Sequence, residues 1–97
     1  MSTSVVSRRY VVSGRVQGVG FRWFVREQAR GRGLAGFVQN AVDGSVIAHV
    51  SGGAEGLAAL EGALRVGPPG ARVSHLDITA LDPGVSASLP APFEIRR

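Results

Sequence analysis

Nine consecutive residues, Gly14-Arg15-Val16-Gln17-Gly18-Val19-Gly20-Phe21-Arg22, have the types and spacing to handle an anion. Gly14, Gly18 and Gly20 allow a backbone to take positive φ and to come close to a ligand. The residues that follow have helical spacing, so the loop feeds a helix N-terminus, where unpaired N–H groups and the positive end of the dipole favour negative charge. Arg22 falls in the first turn of that helix and adds a planar cationic fork to the same place. Together these residues describe a phosphate cradle; the plainer reading is a glycine-rich turn followed by a solvated arginine. Asn40 is the only asparagine of the chain and offers donor and acceptor in one amide. Beside Asp43–Gly44 it reads first as a turn-former that caps the backbone.

Other chemistries find less support. The loop lacks the Gly-Lys-Ser/Thr ending of a Walker sequence. Residues 31–36 carry the letters of a dinucleotide fingerprint, but they follow a helix and lead into a strand, the reverse of the required order, and so read as a helix cap and connector. With no cysteine and no lysine, thiolate metal sites, cysteine nucleophiles and lysine chemistry are excluded. His49 and His75 lie far apart with no carboxylate at ligand spacing and read as structural or exposed. Glu27, Glu55 and Glu61 read as solvated helix faces. The net charge of +4 favours an anionic partner without choosing one.

The 97 residues suffice for one core and one domain. Residues 9–13 are β-branched and aromatic and form a first strand. Phe21, Phe24, Val25 and Ala29 keep helical intervals until Gly31 and Gly33. Residues 36–42 and 45–50 flank Asp43–Gly44 as a β-hairpin. Leu57, Leu60 and Leu64, with Ala58, Ala59 and Ala63, make the apolar stripe of a second helix running to about Val66. The turn at residues 67–70 stops it. Residues 72–81 then form a fourth strand with Leu76, Ile78 and Ala80 on one face, residues 85–92 read as loop, and residues 93–96 as a short last strand. This order, β-α-β-β-α-β-β, predicts an α+β two-layer sandwich of ferredoxin-like type, β-α-β-β-α-β plus an added C-terminal strand, with two helices on one face of an antiparallel sheet. Residues 1–7 are expected to be a flexible tail and residues 8–97 the domain.

Gly14-Arg15-Val16-Gln17-Gly18-Val19 with Phe21–Arg22, and Gly33-Leu34-Ala35-Gly36-Phe37-Val38-Gln39-Asn40 with Asp43–Gly44, resemble the two signature motifs of the acylphosphatase family. Gly67-Pro68-Pro69 and the closing strand extend the likeness over nearly the whole chain. The resemblance implies the same fold, a phosphate-binding role for Arg22, a catalytic role for Asn40, and an anion loop made of Arg15, Val16, Gln17, Gly18, Val19, Gly20 and Phe21. In two places the chain departs from the family's habits: Ile47 stands where an acidic residue often follows the turn, and Ala41 stands where some members place a hydroxyl beside the asparagine.

The expected activity is therefore hydrolysis of a small acyl phosphate to a carboxylate and inorganic phosphate, with phosphate as competitive inhibitor and no metal or cofactor. A carboxylate leaves readily, so no general acid is demanded. What is needed is an oriented water and neutralised phosphoryl charge. No nucleic-acid or membrane partner, a monomer and a cytoplasmic location are expected, since no apolar run is long enough to span a bilayer and residues 1–7 lack an export signal. The alternatives are a non-catalytic phosphate- or RNA-binding module of the same fold and a domain of a larger carbamoyl-transferring enzyme. The aromatics, read mostly as core, speak against the RNA-binding form.

Overall fold

The computed structural model describes residues 5–82, 84 and 88–97. The elements run β1 (Val5–Arg15), α1 (Phe21–Gly31), β2 (Ala35–Asn40), β3 (Val46–Gly53), α2 (Ala54–Val66), β4 (Arg72–Ala80) and β5 (Glu94–Arg96). One sheet has the order β4-β1-β3-β2-β5. The first four strands pair antiparallel, as expected, and the added strand β5 joins the edge of β2 in parallel, which makes the sheet mixed at that edge. The two split β-α-β units place both helices over one face, as the ferredoxin-like order requires.

The helix-covered face is read directly from the period-2 alternation of the strands. Tyr10 and Val12 of β1, Val38 of β2 and Val46, Ala48 and Val50 of β3 are buried under Phe21, Val25 and Ala29 of α1 and Leu57, Leu60 and Leu64 of α2. Burying a large apolar side chain stabilises by about 1.5–3 kcal/mol, so this stripe fixes where each helix lies. Ala58 and Ala59, expected in the stripe of α2, are exposed on its outer side. The leucines alone seat that helix.

Several boundaries move because pairing extends elements beyond their local propensity. β1 begins at Val5, which pairs with Gly53, and Ser7 is buried; residues 5–7 therefore belong to the sheet and not to a tail. β3 runs on through Ser51, Gly52 and Gly53, residues that look like a turn in isolation, because β1 pairs with them. The expected loop at 85–92 lies partly outside the described residues.

Glu61 does not sit on the solvated face expected for it: its carboxylate accepts hydrogen bonds from Arg8 Nη1 and from the hydroxyl of the fully buried Tyr10. Burial, and then the bond to the Glu61 carboxylate, push the Tyr10 phenol well above its usual range. The same carboxylate raises Arg8.

Candidate active site

The loop between β1 and α1 is pinned at both ends by buried side chains, Val16 and Phe21, while the backbone between them stays near the surface. Gly18 and Gly20 have φ of 75° and 76°, the left-handed region that L side chains rarely adopt. Gly20 is the N-cap of α1 and supplies no side-chain cap, and the first turn contains no acidic residue. Phe24 N–H donates to Gly20 carbonyl at 3.0 Å as the helix starts. Among the described residues, no turn or cap bond to a backbone carbonyl engages the N–H groups of residues 17–23. A helix end with neither cap nor carboxylate leaves its donors and dipole to an anion.

The second half of the site comes from the β2–β3 hairpin. Gly44 N–H reaches the Ala41 carbonyl at 3.2 Å, Ala41 N–H reaches the Ser45 carbonyl at 2.8 Å, and Gly44 has φ of 96°. This is a three-residue loop, a type I turn followed by a left-handed glycine, in place of the two-residue turn that Asp-Gly most often signals. The turn-capping role falls to Asp43, whose carboxylate accepts from the Ser45 hydroxyl at 2.7 Å and the Ser45 N–H at 3.0 Å. Those bonds, the hydroxyl first, hold the Asp43 carboxyl below its usual range. Asn40 is left exposed at the end of β2, on the helix-covered face, and among the described residues its amide makes no side-chain hydrogen bond.

One side chain joins the two halves. Gln17 Nε2 donates to the carbonyls of Ala41 and Ser45, each at 2.9 Å, so the anion loop is bolted to the base of the hairpin that carries Asn40. The missing hydroxyl at Ala41 is thus accompanied by a backbone contact from the loop itself. Arg22 Nη1 lies 3.3 Å from the Arg96 carbonyl, a long bond that orients the guanidinium and leaves its other donors open.

These elements enclose an open cleft of about 750 Å³. Val16, Gly18, Gly20, Phe21 and Arg22 line it from the loop and helix, and Asn40 faces them from β2. Arg15, Gln17 and Val19, expected in the anion loop, do not line the cleft: Arg15 is exposed and pairs with Arg72 in the sheet, Gln17 makes the clamp, and Val19 packs on the core. Trp23, Ile95 and Arg97 line it as well, and none of the three follows from the motif. Trp23 had a visible signal: it stands off the Phe21–Val25–Ala29 stripe by half a turn of helix, so it cannot be core. Among the described residues no aspartate or glutamate lines the cleft, and Arg22 and Arg97 give it cationic side chains.

The open face of the sheet carries His49 beside Phe37, with ring centroids 4.8 Å apart, and the Arg96 guanidinium 4.0 Å above the Phe37 ring. Phe37 is covered by these neighbours, an arrangement unlike an open stacking platform for bases. Arg8 lies under α2 with Glu61, while Arg9 and Arg96 flank His49. His75 sits exposed on β4, 2.9 Å from Asp77. Among the described residues, no group of three or more His, Cys, Asp or Glu is placed to hold a metal, and no helix is long and apolar enough to cross a membrane.

The architecture is that of a ferredoxin-like α+β domain with an open cleft at the first loop–helix junction. The family profile described as Acylphosphatase matches residues 8–95. An acylphosphatase of Nitratidesulfovibrio vulgaris is 47% identical over 89 residues, covering 92% of this chain and 88% of its own. One of Anaeromyxobacter dehalogenans is 44% identical over 94% of this chain and 95% of its own. The crystal structure of acylphosphatase from Bacillus subtilis superposes with a TM-score of 0.84 at 36% identity, covering 95% of this chain and 99% of that one. The chain belongs to the acylphosphatase family and is an enzyme of that family.

Proposed function

We propose that this enzyme hydrolyses the carboxyl–phosphate bond of small acyl phosphates, with the loop amides and Arg22 holding the phosphoryl group and Asn40 orienting the attacking water. The observation that carries this reading is the convergence in one cleft of an uncapped, acid-free helix N-terminus, Arg22 and an unpartnered Asn40 amide. The phosphoryl oxygens would sit on the N–H groups around Gly18 and Gly20, with the Arg22 fork on the same oxygens. Water, accepting from or donating to the Asn40 amide, attacks phosphorus in line with the leaving oxygen. The P–O bond to the acyl group breaks and its electron pair leaves on the carboxylate; the water proton passes to a phosphate oxygen. Because the carboxylate is a weak base, no acid has to protonate it, and a cleft that no aspartate or glutamate lines is adequate for the reaction.

Hydrolysis of benzoyl phosphate in EDTA tests this directly. Misplacing a reactant that a side chain positions costs about 10² in rate, so Asn40→Ala should lose roughly a hundredfold in kcat with KM little changed. Arg22→Ala should lose both kcat and affinity, and should also weaken competitive inhibition by inorganic phosphate. Arg22→Lys should recover only part, since an ammonium cannot reproduce the fork. Wild-type levels of turnover in either alanine variant would remove that residue from the mechanism.

A further inference from the structure

The cleft is larger than a phosphoryl group requires, and apolar side chains line part of it beside Arg22 and Arg97. Trp23 lines it while 58% of its surface is exposed, next in sequence to the residue proposed to hold the phosphate. Among the described large hydrophobic residues that are exposed, Val5, Val42, Val66 and Ile78 lie away from the cleft, and Trp23 alone borders it. The half-buried Ile95 lines the same cavity, and the buried Val16 does so from the loop. An indole left half in water at the mouth of an otherwise cationic site is an amphipathic surface with an open face for an apolar or aromatic group.

We propose that Trp23, with Ile95, forms an acyl-group subsite, so that the enzyme selects acyl phosphates with aromatic or extended aliphatic acyl groups over acetyl phosphate. This rests on the reading of the cleft as an acyl phosphate site. The anion donors fix the phosphoryl end at the loop, and the acyl group then projects across the first turn of α1, where residue 23 follows residue 22. An acetyl group is too short to cover the indole; a benzoyl group covers it.

Two experiments on the intact chain test the subsite. The first compares kcat/KM for benzoyl and acetyl phosphate in wild type, Trp23→Ala and Trp23→Phe. Contact with one aromatic face corresponds to about a tenfold preference, so the benzoyl-to-acetyl ratio should fall about tenfold in Trp23→Ala through KM for benzoyl phosphate, and recover in Trp23→Phe. A ratio that is unchanged, or both substrates failing in parallel, overturns the subsite. The second experiment measures calorimetric binding of benzoylphosphonate and acetylphosphonate, which carry the same groups and do not turn over. Wild type should prefer the benzoyl compound and Trp23→Ala should lose that preference; equal affinity in wild type, or binding of neither, overturns it. A wild type that binds with this preference yet hydrolyses neither substrate would sink the proposed reaction and leave the subsite standing.

Discussion

Asn40 and Asp43 divide two tasks that a polar residue at a hairpin can perform. Asp43 closes on Ser45 and satisfies the turn, which frees Asn40 from any capping duty and leaves its amide at the cleft. On the opposite face of the sheet, His49 shows how one residue makes the protein sensitive to pH. Burial, then the charges of Arg9 and Arg96, lower its pKa below the ordinary 6.5. The Arg96 guanidinium is also engaged by Glu94, at 2.8 Å. With the folded value depressed, the unfolded chain binds the proton more tightly, so stability is complete above about pH 6.5 and declines as pH falls below it. Urea midpoints between pH 5 and 8 should show this slope, and His49→Gln should flatten it. An unchanged slope in that variant would assign it to other groups.

At the scale of elements, the site depends on two separate pieces of chain being held in register. The first loop and the β2–β3 hairpin are joined through the Gln17 amide, which satisfies two carbonyls of the hairpin base at once. Gln17→Ala removes both bonds, each worth about 1 kcal/mol, and lets the loop shift relative to Asn40. A displacement near 1 Å at a reacting centre costs up to about a hundredfold, so kcat should fall roughly ten- to a hundredfold, while melting drops by about 8–16 °C at about 4–8 °C per kcal/mol for a chain of this size. A loss of stability with full kcat would make the clamp merely structural.

The same elements show what a sequence reveals and what it conceals. Helix α1 is legible to the residue, because Phe21, Val25 and Ala29 mark the stripe and Gly31 and Gly33 end it. The glycine-rich loop and the helix that starts at Phe21 are legible because glycine spacing and a helix start are local properties. The ends of β1 and β3 are not, since Val5 and Gly53 are strand only through each other. The Gln17 clamp and the Glu61 pairing join residues 24 to 53 positions apart, and no local pattern signals them. Trp23 was detectable by its misfit with the stripe, yet its place in the cleft needed the return of β5.

For the molecule as a whole, the proposed catalytic cleft and the Glu61 contact draw on different parts of β1. The loop of the cleft follows Arg15, whereas Arg8, about 23 Å from Arg15 at ~3.3 Å per residue, and Tyr10 at mid-strand meet Glu61 of α2. Glu61→Ala would leave a buried hydroxyl and a partly buried guanidinium without their acceptor, a loss of about 2–4 kcal/mol. That loss should appear as a lower denaturant midpoint with kcat/KM unchanged at temperatures where the variant is folded. The Tyr10 phenol supplies an independent check. Its folded pKa lies above the ordinary 10.0, so the unfolded chain gives up the proton first, and stability present below about pH 10 is lost as pH rises through the folded value. Tyr10→Phe should abolish this alkaline limb. A fall in kcat/KM matching the fall in stability would show instead that the α2 contact reaches the cleft, and that the two parts of the strand are coupled.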